Sequence, residues 1–129
     1  MRFLRKLFGR GEDDEGEDVP IELDQDLRRR QLQRLETGLD RLATEMRACE
    51  SLDNPGWRVR VNEYVRLAGD AMVLRRGAVT REAVLDLVFE VRPLFHAAPP
   101  GGMEHLVALQ DDVLAAAEEL RVLTPGERR

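Results

Sequence analysis

Lysine is almost missing from this sequence: of 20 basic residues, only Lys6 is a lysine. A GC-rich genome explains such a bias more simply than binding chemistry does. Aromatic residues make up 5%, and strand-forming types are thin beyond a few valines, so a sheet has little to build on. The single cysteine, Cys49, excludes an intrachain disulfide and a structural zinc site made of several thiolates. No run approaches the roughly 18–20 apolar residues that cross a bilayer. Charges interrupt the apolar residues of the N-terminus, so no signal peptide is read there. Together these absences lead to the expectation of a cytoplasmic protein.

What is abundant is Leu, Ala, Arg and Glu, all good helix formers. A hydrophobic share of 43% supports a core, and 35% charged residues implies densely solvated outer faces. At 129 residues the chain fits one domain of ordinary size. Its net charge of −5 is unevenly spread. Residues 1–10 carry four positive charges, and residues 11–26 carry nine negative charges and no positive one. The remaining 16 basic and 16 acidic residues cancel.

Residues 9–20 (GRGEDDEGEDVP) combine glycine, proline and like charge with almost nothing apolar. Such a segment buries too little surface to offset its ordering entropy, and 11–21 is read as an acidic disordered linker. Beyond it, Leu32, Leu35, Leu39, Leu42, Met46 and Cys49 recur at alternating spacings of three and four, a coiled-coil-like seam. The predicted first helix covers about 23–52, roughly 45 Å at 1.5 Å per residue. Asn54 and Pro55 read as cap and first residue of a second helix ending near Arg76, with Gly77 expected in the left-handed region. Thr80 caps a third helix that Pro93 should break near Val91. Pro99 to Gly102 form a loop, a fourth helix covers about 103–122, and 125–129 is read as a frayed tail.

Four amphipathic helices over 22–124 are most simply solved as an all-α antiparallel bundle of about four helices. The long first helix should overhang its neighbours. Leu23, Leu27 and Leu32 on the overhang are candidates for a homodimer contact; otherwise that segment frays into the linker.

The sharpest candidate for function is residues 1–10, MRFLRKLFGR. At 100° per residue, Phe3, Leu4, Leu7 and Phe8 share one arc, while Arg2, Arg5, Lys6 and Arg10 share the opposite one. An in-plane interfacial helix has this pattern, with rings in the headgroup boundary and cations over anionic lipid. Over these ten residues the pattern resembles the short membrane-targeting helices at the ends of several bacterial cell-division and secretion proteins. It implies recruitment to an anionic membrane surface or a protein partner, with the protein peripheral on the inner face of the membrane. The bland alternatives are a floppy terminus or one docked on the bundle.

Other signals are weaker. Arg28, Arg29, Arg30 and Arg34 spread around a helix, which suits a solvated face or ion pairs across a dimer better than nucleic acid. His96 and His105 lack a ligand spacing, Glu-x-x-His pairs for a di-metal site are absent, and no Walker-type loop occurs. Cys49 reads as core packing and Trp57 as a plug whose indole N–H should find a carbonyl. No cofactor and no catalytic residue is assigned. The expected function is therefore a non-enzymatic helical adaptor or scaffold. The alternative is an accessory subunit or assembly factor without lipid contact, exposing an apolar groove near the first helix or the Pro93 break.

Overall fold

The computed structural model describes residues 21–127. Four helices follow in order: α1 (Gln25–Cys49), α2 (Pro55–Arg75), α3 (Arg81–Glu90) and α4 (His105–Arg121), then a 3-10 turn at Pro125–Glu127. Among the described residues there is no strand, and the fold is an all-α helical bundle. Residues 1–20, including the amphipathic segment and nearly all the acidic linker, lie outside the described residues.

The seam supplies the centre of the core. Leu32, Leu35, Leu39, Leu42 and Met46 are all buried, and truncating any one leucine to alanine costs about 2–5 kcal/mol. Each helix packs on two neighbours: α1 on α2 and α4, and α3 on α2 and α4. Paired positions show that the neighbours run antiparallel. Along α1 and α2, Trp57 meets Met46 and Arg75 meets Glu36. Along α1 and α4, Cys49 meets His105 and Arg28 meets Leu120. Midway, a Cβ placed on Gly38 would lie 3.3 Å from Val113 Cγ2, so the missing side chain permits the close approach of α1 and α4.

The helix ends follow from cap chemistry. Asp24 accepts from the Leu27 N–H, Asn54 from Gly56 and Trp57, and Thr80 from Ala83. Because Asp24 is the cap, α1 starts two residues later than predicted. It stops at Cys49 rather than near Leu52, since residues 50–54 make the reversal that brings Asn54 into an extended cap conformation. The predicted left-handed Gly77 is not found. Arg76 closes α2 in the right-handed region, and Gly102 is the described glycine with a positive φ, +92°.

The break at Pro93 occurs where the spacing placed it: α3 ends at Glu90 and Val91 is extended. Residues 91–104 continue without helix, and side chains supply backbone partners there. The Tyr64 hydroxyl donates to the Arg92 carbonyl (2.9 Å), Arg60 donates to the Pro93 carbonyl (2.8 Å), and the Phe95 N–H donates to Gln110 Oε1 (2.7 Å). With ten residues, α3 is the short side of the bundle.

Candidate functional site

The chain's charged groups divide sharply by solvent. Arg28, read from sequence as part of a solvated or dimer-facing cluster, is instead 0% exposed. Its Nη1 donates to Gln31 Oε1 and to the carbonyls of Glu119 and Leu120, and its Nη2 donates to the Val122 carbonyl. Those carbonyls end α4, where helical backbone has no acceptor duty left and the dipole favours a cation. Arg28 Nε and Nη2 also donate to the two carboxylate oxygens of Glu127. The Asp24 and Thr124 N–H groups donate to the same carboxylate. The guanidinium is thus the principal cause, with those backbone donors helping, that holds the Glu127 carboxyl down at about 2, against the desolvation that raises it. The tail read as frayed is, up to Glu127, a closing element of the fold. A buried cation at the C-terminus of α4 recruits it there.

Of the residues assigned a membrane- or partner-binding role, Arg2, Phe3, Leu4, Arg5, Lys6, Leu7, Phe8 and Arg10 lie outside the described residues. Of the three leucines assigned to a dimer contact, Leu23 and Leu32 sit within the chain's own core. Leu32 is fully buried, Leu23 belongs to the core, and Leu27 is partly buried. No overhang of α1 leaves Leu23 or Leu32 bare, because the 3-10 turn and the α2–α3 connection pack at that end. Gln25 clamps this connection: its amide donates to the Val79 carbonyl and accepts from the Val79 N–H, both at 2.8 Å.

Two apolar openings flank α3. The first, about 800 Å³, lies where the chain enters the bundle, between Ile21–Gln25 and Val79–Asp86. Its apolar lining is Ile21, Leu23, Val79 and Leu85, and Glu22, Glu82 and Asp86 stand at its edge. The second, about 580 Å³, lies beside the Pro93 break, with Val59 and Phe89 as its apolar groups. Phe89 is 87% exposed and Val59 61%. Around them runs a string of ion pairs, Arg66 with Asp70 and Glu90, and Glu63 with Arg60 and Arg92. Sequence reasoning passed over Phe89, yet a signal existed. At 100° per residue it falls about 140° from Val84, well off the stripe of Val84, Leu87 and Val88. A third groove, about 600 Å³ between α1 and α4, is lined by Arg30, Arg34 and Arg41 with Leu109 and Asp112.

Cys49, expected in the core, is half-buried with Sγ 3.4 Å from His105 Nε2. His96 is exposed. Among the described residues no three His, Cys, Asp or Glu side chains converge to hold a metal ion, and no helix is long and apolar enough to cross a membrane. Trp57 Nε1 donates to the Met46 carbonyl at 2.9 Å, closing the end of α1 as the plug reading required. Comparison with protein-family models, curated proteins and solved structures gives no match.

Proposed function

We propose that this protein is a non-enzymatic helical adaptor, recruited to an anionic membrane surface or a protein partner by residues 1–10. One observation carries the reading: in residues 1–10 the apolar Phe3, Leu4, Leu7 and Phe8 share one helical arc and the cations the opposite one, while the described helices pack their apolar stripes on one another. Such an apolar arc, backed by Arg2, Arg5, Lys6 and Arg10, is suited to a second surface. Full burial of four large side chains yields at most about 6–10 kcal/mol. Partial insertion and the ordering of so short a helix subtract from that, so binding is weak and reversible. The adaptor works in the cytoplasm, peripheral on the inner face of the membrane. A homodimer through α1, where Leu27 is the one of the three leucines not buried, would bind more strongly by avidity.

Co-sedimentation with anionic vesicles at two salt concentrations tests the reading. The parent should pellet at low salt, and Phe3→Ser/Phe8→Ser should stay in solution with unchanged helicity. Equal pelleting of both would refute the mechanism.

A second reading is favoured by Phe89: an accessory subunit that seats a partner on the Phe89–Val59 face. An aromatic ring left in water beside a groove is the kind of anchor around which interface energy concentrates. Pull-down from native extract with the parent and Phe89→Ser distinguishes this reading, because the partner should be lost only from the variant.

A further inference from the structure

We propose that residues 1–10 dock into the groove at the start of α3, so that the arc available to a membrane or partner is masked until it is released. Leu23 and Val79 form the groove's buried floor, and Ile21 and the exposed Leu85 form its walls. Glu22, Glu82 and Asp86 edge it and make no ion pair with a described residue. The cation at the same edge, Arg81, donates instead to the Arg121 carbonyl at 3.0 Å. The groove therefore offers an apolar floor beneath an acidic rim. Residues 1–10 carry the complement: an apolar arc of Phe3, Leu4, Leu7 and Phe8, and an opposite arc of four cations. A helix laid apolar side down brings its flanking cations level with the carboxylates.

Connectivity favours this occupant. Ten residues, 11–20, join the segment to Ile21, which is itself a wall of the groove. Fully extended they reach about 33–36 Å, more than folding back requires. A tether of that length gives an effective concentration on the order of millimolar, so a contact too weak to hold a free peptide can hold this one. The floor is also fixed beforehand, because the Gln25 amide locks Val79 in place through two hydrogen bonds. The contact depends on the amphipathic reading of residues 1–10, and its regulatory consequence depends on the adaptor reading. Docking and lipid insertion use the same face and exclude each other.

The full-length chain provides the test. Methyl resonances of Ile21, Val79 and Leu85 should differ between the parent and Phe3→Ser/Phe8→Ser; identical spectra overturn the docking, whatever the vesicles show. For a groove filled about nine-tenths of the time, Leu85→Asp should bind anionic vesicles about tenfold more tightly than the parent. Glu82→Lys, on the exposed rim, should do the same without touching the apolar floor. If the methyls respond and both variants bind vesicles only as tightly as the parent, masking is refuted. If the methyls respond and no form binds vesicles, the docking stands and the membrane reading falls.

Discussion

Arg28 and Arg66 are both arginines paired with a glutamate from another element, yet they serve opposite ends of the molecule. Arg28 is sealed from water, and every donor of its guanidinium is used, by Glu127, Gln31 and the last carbonyls of α4. Arg66 pairs with Glu90 and Asp70 in solvent, its side chain 53% exposed. In low dielectric, breaking such a pair leaves an uncompensated charge; in water, salt and side-chain entropy cancel most of the gain. The first end is built to hold the fold shut. The second is polar and solvated, and it surrounds an exposed aromatic. The buried pair thus closes the end of the bundle where α3 begins, and the solvated pairs surround Phe89 where α3 ends.

The comparison is broken most severely at the buried end. Arg28→Ala should destabilise by about 3–5 kcal/mol, because Glu127 stays buried without its cation. The melting temperature should then fall by more than about 10 °C. The paired replacement Arg28→Met with Glu127→Leu should cost less than the single one, since no charge is stranded. A smaller loss for Arg28→Ala than for the pair would show that the ion pair is not what closes this end.

Glu127→Gln is the next test and is read against pH. The Glu127 carboxyl lies at about 2 in the fold, below its ordinary 4.5, so its contribution is complete above about pH 5. As pH falls from 4.5 towards 2 the carboxylate takes up a proton and that contribution disappears. Denaturant titrations should therefore show the parent exceeding Glu127→Gln by a constant margin at neutral pH, with the margin shrinking through that window.

Tyr64 gives a middle-sized effect on the strap of residues 91–95. It is the only tyrosine, so phenolate absorbance reports it directly. Burial pushes its hydroxyl up to about 12, opposed by the nearby Arg60 charge. The neutral form is the one the fold favours, so its contribution is present below pH 10 and is lost as pH rises through 12. Tyr64→Phe should cost about 1 kcal/mol by orphaning the Arg92 carbonyl. Titration near 10 in the folded protein would show that the hydroxyl is open to water.

The smallest stability effects are expected at the Phe89 end. Phe89→Ser should change stability by less than about 0.5 kcal/mol while removing a partner in pull-down. Arg66→Ala should leave the melting temperature unchanged in physiological salt. A large loss from either substitution would mean that this end, too, holds the fold.

Local chemistry was legible in the sequence. The leucine seam announced the core helix, Asn54–Pro55 and Thr80 announced helix starts, and Pro93 announced the break, since each acts through its own backbone or its immediate neighbours. Gly77 misled because a glycine permits the left-handed region without requiring it. The grooves were legible only in part: an off-stripe Phe89 was there to be noticed, but its nearness to Val59 depends on how α2 meets α3.

The sequence by itself therefore determined the helical class, the four helices of the described residues, the caps at Asn54 and Thr80 and most of each inward stripe, because these depend on spacings of a few residues. Only tertiary structure decided that Arg28 belongs to the core, that Glu127 closes the chain, that Leu23 and Leu32 are consumed within one copy, and that Cys49 meets His105. Those outcomes join residues about 50 to 100 positions apart. The physical reason is one of reach: periodicity encodes which face of a helix avoids water, whereas the partner of a buried charge is chosen by whichever helix end lies beside it.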